Sequence, residues 1–195
     1  MTQSDASCLA LPADLLAAEE AMLQAALAAV GSGDGQRWAA SLRFEGLRLL
    51  PVAVRLARAL IAAGQDLLMV WPDAGAAALA RRDAEDLKDV ILDFNQLKRA
   101  ESNGPDTRLL LAVNPSPADY EEFQALCENH AGVVLMLNGR LEDAAVGIGS
   151  VARERRKGFV ASWQQAYWLQ PLEGGALMRC FPDHCHRELL FIKVC

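Results

Sequence analysis

Leu67-Leu68-Met69-Val70-Trp71-Pro72-Asp73, Arg108-Leu109-Leu110-Leu111-Ala112-Val113-Asn114-Pro115 and Val133-Val134-Leu135-Met136-Leu137-Asn138 are short apolar runs that each reach a turn-forming polar residue. Continuous apolar runs of this length read as strands buried on both faces, the pattern of a parallel sheet. In open parallel sheets, ligands sit beyond the carboxyl ends of the strands. Asp73, Asn114 and Asn138 are therefore expected to share one rim, where they can orient a polar ligand. Asp73 reads equally as the N-cap of the next helix, and Asn114, before a proline, as turn chemistry.

Helical patterns separate these runs. Pro12 to about Val30 reads as a helix with acids in its first half and Gly31-Ser32-Gly33 at its end. Trp38 to Phe44 reads as a strand. Pro51 to Ala63 reads as a helix stopped by Gly64, with an apolar stripe that includes Val52, Leu56 and Leu60. A short alanine-rich helix follows Asp73 and ends near Arg82. The stretch 83–107 has no clear period: Val90 to Phe94 reads as a short strand, and Lys98 to Thr107 as a polar loop turning at Asn103-Gly104-Pro105. Ser116 to His130 reads as a helix with acids near its start, where the dipole favours them. After residue 137 the alternation stops. Phe159–Leu169, Ala176–Phe181 and Leu189–Val194 read as a β-meander.

This order implies an α/β fold: three layers around a mostly parallel central sheet, followed by a C-terminal antiparallel β-meander. Residues 1–11 are expected to be a flexible N-terminal tail, and 12–195 a single domain.

The chain is 52% hydrophobic and 23% charged, which places it among globular proteins. A net charge of −6 argues against nucleic acid as partner, since its binders are basic. Five cysteines without framework spacing suggest reduced thiols in a cytosol-like compartment. No basic leader and no continuous apolar run of about 18 residues is visible, so a soluble or peripheral protein is expected.

Local clusters carry alternative readings. If a helix starts at Ser150 after Gly147-Ile148-Gly149, its free N–H groups and Arg153 can hold a phosphate; otherwise this is a glycine-bearing turn and a solvated basic helix face. Arg153, Arg155, Arg156 and Lys157 are expected to form an exposed interaction patch for an acidic protein or an anionic membrane. The alternative is that they pair with the acidic 119–128 helix. Cys180, His184, Cys185 and His186 lie close together but lack paired metal-ligand spacing, so no metal is expected. Trp163 and Tyr167 share parity on a strand and Trp168 faces the other way. No Ser/His/Asp arrangement is readable, and neither catalytic residues nor a cofactor are expected.

Two stretches carry a resemblance: Leu42-Arg43-Phe44-Glu45-Gly46-Leu47-Arg48-Leu49-Leu50-Pro51-Val52-Ala53, and Trp71-Pro72-Asp73-Ala74-Gly75-Ala76-Ala77-Ala78-Leu79-Ala80-Arg81-Arg82-Asp83. Leu135-Met136-Leu137-Asn138 and Tyr167-Trp168-Leu169-Gln170-Pro171-Leu172 fit the same pattern. Over roughly 12–192 the chain resembles an uncharacterised α/β domain of cyanobacteria and plant chloroplasts. That domain occurs in photosystem II assembly factors of the low-PSII-accumulation type and after the kinase domain of a chloroplast adenylate kinase. The resemblance implies a thylakoid-linked role in photosynthesis and supplies no catalytic residues. The phosphate loop G-x-x-x-x-G-K-[ST] is absent from the chain, and no transit segment is visible, which fits a cyanobacterial protein. The expected function is a non-enzymatic accessory or assembly factor acting through contacts with photosystem or assembly subunits, cytoplasmic or peripheral at the thylakoid surface. The alternative is an α/β domain binding a small molecule, nucleotide or phosphate at the carboxyl ends of its parallel strands.

Overall fold

The computed structural model describes residues 11–102, 104–145, 154–155, 157–182 and 190–191. Helix α1 (Leu15–Ser32) leads into β1 (Arg37–Leu42), α2 (Leu49–Ala62), β2 (Leu67–Trp71), α3 (Ala74–Asp83) and β3 (Ile91–Asp93). Then come α4 (Phe94–Glu101), β4 (Leu109–Val113), α5 (Tyr120–Asn129) and β5 (Val134–Leu137). Strands β6 (Gln164–Leu172), β7 (Gly175–Cys180) and β8 (Leu190–Phe191) close the sequence order.

One eight-stranded sheet has the order β3-β2-β4-β5-β1-β6-β7-β8. The three decisive apolar runs are parallel neighbours: β2 pairs β4, and β4 pairs β5. β1 inserts parallel between β5 and β6. β6, the first strand of the expected meander, thus extends the parallel sheet, and antiparallel pairing begins at β7.

Strands buried on both faces need cover on both sides. α1, α2 and α3 cover one face through Met22, Ala26, Leu56, Leu60 and Ala77. α4 and α5 cover the other through Phe94, Leu97, Phe123 and Leu126. An aromatic cluster of Phe94, Tyr120, Phe123, Phe159 and Trp163 fills that second side; Phe123 stacks on Phe94 and Trp163 at 5.6 and 5.7 Å between centroids. By length and composition α1 could cross a bilayer, but its Ala18, Met22, Ala25, Ala26 and Ala29 face is buried in the first core.

Two expectations are corrected. The start of the stretch read as a polar loop at 98–107 is helix α4, which runs from Phe94 to Glu101. A capping box starts it: Asp93 accepts from the Gln96 N–H at 2.8 Å while the Gln96 side chain accepts from the Asp93 N–H at 3.1 Å. Buried Phe94 and Leu97 anchor it. Second, Trp163 and Tyr167 lie on opposite faces. Ala39 pairs Gln165 while Ala40 pairs Tyr167, so a bulge at Ala166 resets the alternation. Gln165 Nε2 satisfies the displaced backbone, donating to the carbonyls of Ala39 (2.8 Å) and Tyr167 (2.6 Å).

Burial pushes the Cys127 thiol and the Tyr167 phenol far above their usual ranges, so both stay neutral in the folded protein. In the unfolded chain they ionise above about pH 8.5 and pH 10. Because the folded state then holds the extra protons, stability falls as pH rises from about 8.5 upward. Denaturant midpoints measured from pH 7 to 11 should decline over that window, and Cys127→Ala should flatten its lower part. Cys127 should resist a water-soluble thiol reagent until the protein unfolds; rapid labelling of native protein at Cys127 would contradict its burial.

Candidate functional site

The faces over which the connections leave the strands fix where a site can form. From β1 the chain leaves over the first face, into α2. From β5 it leaves over the second, where Leu141 and Phe159 pack on the way to β6. Two adjacent parallel strands whose exits diverge leave a crevice at their carboxyl ends. A cleft of about 620 Å³ lies there.

The turns after β4 and β5 shape its floor. Asn114 and Asn138, each the first residue past its strand, adopt the left-handed conformation with φ 55°. Asparagine tolerates it better than most residues. The backbone N–H of Asn114 donates to the Leu137 carbonyl at 2.8 Å, and that of Asn138 to the Ala40 carbonyl at 2.9 Å, which steps the rim from β4 to β5 to β1. The Asn138 side chain then clamps the end of β1: its Oδ1 accepts from the Leu42 N–H at 2.7 Å and its Nδ2 donates to the Leu42 carbonyl at 2.9 Å. The Asn114 side chain, also lining the cleft, has no partner among the described residues.

Arg43 follows directly. Its Nη2 donates to the Gly139 carbonyl at 2.7 Å and meets Glu142 at 3.3 Å. Its guanidinium lies 4.8 Å from the Trp168 ring centre, an arrangement that suits a cation on the negative ring face. Burial lowers the pKa of Arg43, Glu142 raises it, and the like charge of Arg140 lowers it further. The buried Arg43 Nε and Trp168 Nε1 have no hydrogen-bond acceptor among the described residues. Arg140, exposed in the same cleft, makes no side-chain hydrogen bond or ion pair with another described residue. Phe44, Leu47 and Leu49 form an apolar wall, with Glu45 and Asp143 beside the polar one. A second cavity of about 170 Å³ lies behind Arg43 and Trp168.

Asn114 and Asn138 therefore meet in one site. Asp73 does not join them: its carboxylate accepts from the Ala76 N–H at 2.8 Å as the cap of α3 and is outside the cleft. Gly147, Gly149, Ser150, Arg153 and Arg156 lie outside the described residues, as do His184, Cys185 and His186. Arg155 pairs with Glu121 on α5 and sits 4.6 Å from the Tyr120 ring centre. For this residue the pairing alternative describes the geometry, while Lys157 is exposed. Arg43, Arg140 and Trp168 were not among the expected site residues. The only local signal was a charged residue directly past a strand end, at Arg43.

The two asparagines should separate on mutation. Asn138→Gly keeps the left-handed backbone and removes two hydrogen bonds, for a loss of about 2 kcal/mol. Asn114→Gly removes no internal bond, so stability should change by less than about 0.5 kcal/mol. Urea unfolding of both variants checks this; equal losses would refute the clamp.

No curated protein and no solved structure matches this chain. A family profile does, over residues 12–185, which takes in the whole cleft. By that match the chain belongs to the family described as Domain of unknown function (DUF1995).

Proposed function

We propose that the chain is a ligand-binding accessory domain whose recognition site is the cleft past β1 and β5. The observation that carries this is the cleft itself: it lies where parallel sheets bind ligands, it pairs an apolar wall with a polar one, and its volume suits a small molecule. Among the described residues its lining holds guanidinium, carboxylate, amide and indole groups, with no serine, cysteine or histidine to act as a nucleophile–base pair. Recognition without turnover is the reading this chemistry favours.

The setting is a separate part of the proposal. The likeness of residues 42–53 and 71–83 to the chloroplast and cyanobacterial domain supports a role in photosystem or thylakoid biogenesis, through contacts with photosystem or assembly subunits. Family membership over 12–185 is consistent with that likeness at the level of the domain. Attachment would be cytoplasmic or peripheral, and exposed Lys157 is available to an anionic surface.

Each part has its own test. Thermal-shift screening against nucleotides, phosphosugars and aromatic acids should find ligands that stabilise the protein, by about 2.7 kcal/mol at 100 times Kd. A hit whose effect survives Leu47→Asn in the apolar wall would place binding outside the cleft. Affinity capture from cyanobacterial membranes should enrich photosystem or insertase subunits, and recovery of neither would remove the assembly role.

A further inference from the structure

The geometry points to a ligand with an oxygen-rich anionic group, a carboxylate, sulfonate or phosphate, on an apolar body, held between Trp168, Arg43 and Arg140. This rests on the cleft reading and adds the chemical class of what fills it.

The argument starts from unmet hydrogen-bond donors. A buried N–H without an acceptor is costly, and native interiors rarely keep one. Among the described residues five buried donor groups lack a partner, on Arg43, Trp71, Trp163, Tyr167 and Trp168, and of these only the Arg43 Nε and Trp168 Nε1 belong to residues that line the cleft. They belong to one stacked pair, with 4.8 Å from guanidinium carbon to ring centre, in the wall of the cleft. The pair also borders the 170 Å³ cavity behind it, so the packing around the indole and guanidinium is not closed on that side. Arg43 is only partly compensated: burial, the largest cause, and Arg140 lower its pKa, Glu142 and Asp143 raise it, and Glu142 meets only one of its nitrogens. Arg140 supplies a second guanidinium with no other task among the described residues. Charge-assisted hydrogen bonds to oxygen anions are the strong partner for such a set.

Bulk charge does not make this selection. Arg43 and Arg140 share the lining with Glu45, Glu142 and Asp143, so the cleft has no net positive field to steer an anion. Affinity should therefore come from short-range donors and depend little on salt. The apolar wall of Phe44, Leu47 and Leu49 calls for a hydrocarbon or aromatic body on the same molecule.

Two fluorescent probes isolate the anionic group: anilinonaphthalene sulfonate, and phenyl-naphthylamine, which has the same aromatic body without the sulfonate. Both are titrated into the full chain and into three variants whose melting temperatures are checked first. Trp168→Phe keeps a ring and deletes the unbonded donor, so melting should hold or rise. Arg140→Gln deletes an exposed charge that no described residue pairs. Sulfonate affinity should fall about tenfold in each, the value of one charge-assisted hydrogen bond, while the neutral dye changes by less than about twofold. Leu47→Asn should weaken both dyes. If both dyes respond to Leu47→Asn but the sulfonate ignores Trp168→Phe and Arg140→Gln, or loses only in parallel with the neutral dye, the anion inference falls and the cleft reading stands. If neither dye binds at one-to-one stoichiometry, or neither responds to Leu47→Asn, the cleft reading falls and takes the inference with it.

Discussion

Double-sided burial of the central strands is the constraint from which the rest follows. β2, β4 and β5 are buried at every residue, so neither face of the sheet can meet water. Helices must cover both faces, and right-handed crossovers permit that only if the chain reverses its direction across the sheet. It moves outward from β1 through β2 to β3 with helices on the first face, then returns through β4 and β5 with helices on the second. The reversal leaves β1 and β5 adjacent with diverging exits. The cleft follows from the covering rule, before any side chain is chosen to line it.

Much of this was legible because it is local and repetitive. Apolar runs closed by Asp or Asn marked the strands, and Gly33 and Gly64, both at positive φ, marked where helices stop. Helix α4 was missed although Asp93 and Gln96 stand at capping-box spacing; its eight residues hold only two buried anchors, too few to show a period. Alternation along β6 misplaced Trp163 relative to Tyr167. A bulge is defined by the partner strand's register, and the extra residue at Ala166 has no signature in its own sequence. That one residue puts Tyr167 in the first core, while Trp163 packs in the second.

The rim shows why a correct location did not yield the correct residues. Asp73, Asn114 and Asn138 occupy equivalent strand ends, but their side chains meet different local demands. Asp73 is consumed by the free N–H groups of α3, and Asn138 by the backbone of Leu42. Only Asn114 keeps its side chain for the cleft. The groups that define the cleft chemically, Arg43 just past β1 and Trp168 in β6, are far apart in sequence and brought together only by the pairing of those strands. Nothing short of the fold brings them together.

The two ends of the sheet treat polar groups differently, and the difference bears on function. Near the amino ends of β4 and β5, polar side chains are matched to one another. Asp106 chelates Arg108, which holds its carboxyl below the usual range. Buried His130 spends one ring nitrogen on Glu101 at 2.6 Å and the other on the Arg108 carbonyl at 2.9 Å. Such closed pairs tie α4, α5 and β4 together and leave little for a ligand to satisfy, Glu101 Oε2 being the exception. At the carboxyl ends of β1 and β6 the matching is incomplete among the described residues: the Arg140 side chain has no hydrogen-bond or ion-pair partner there, and the buried Arg43 Nε and Trp168 Nε1 have no acceptor. Stability alone would favour closing those gaps, as the Asp106–Arg108 and His130–Glu101 pairs do at the opposite end. Open donors beside a cleft are what a binding surface keeps for a group that arrives from outside.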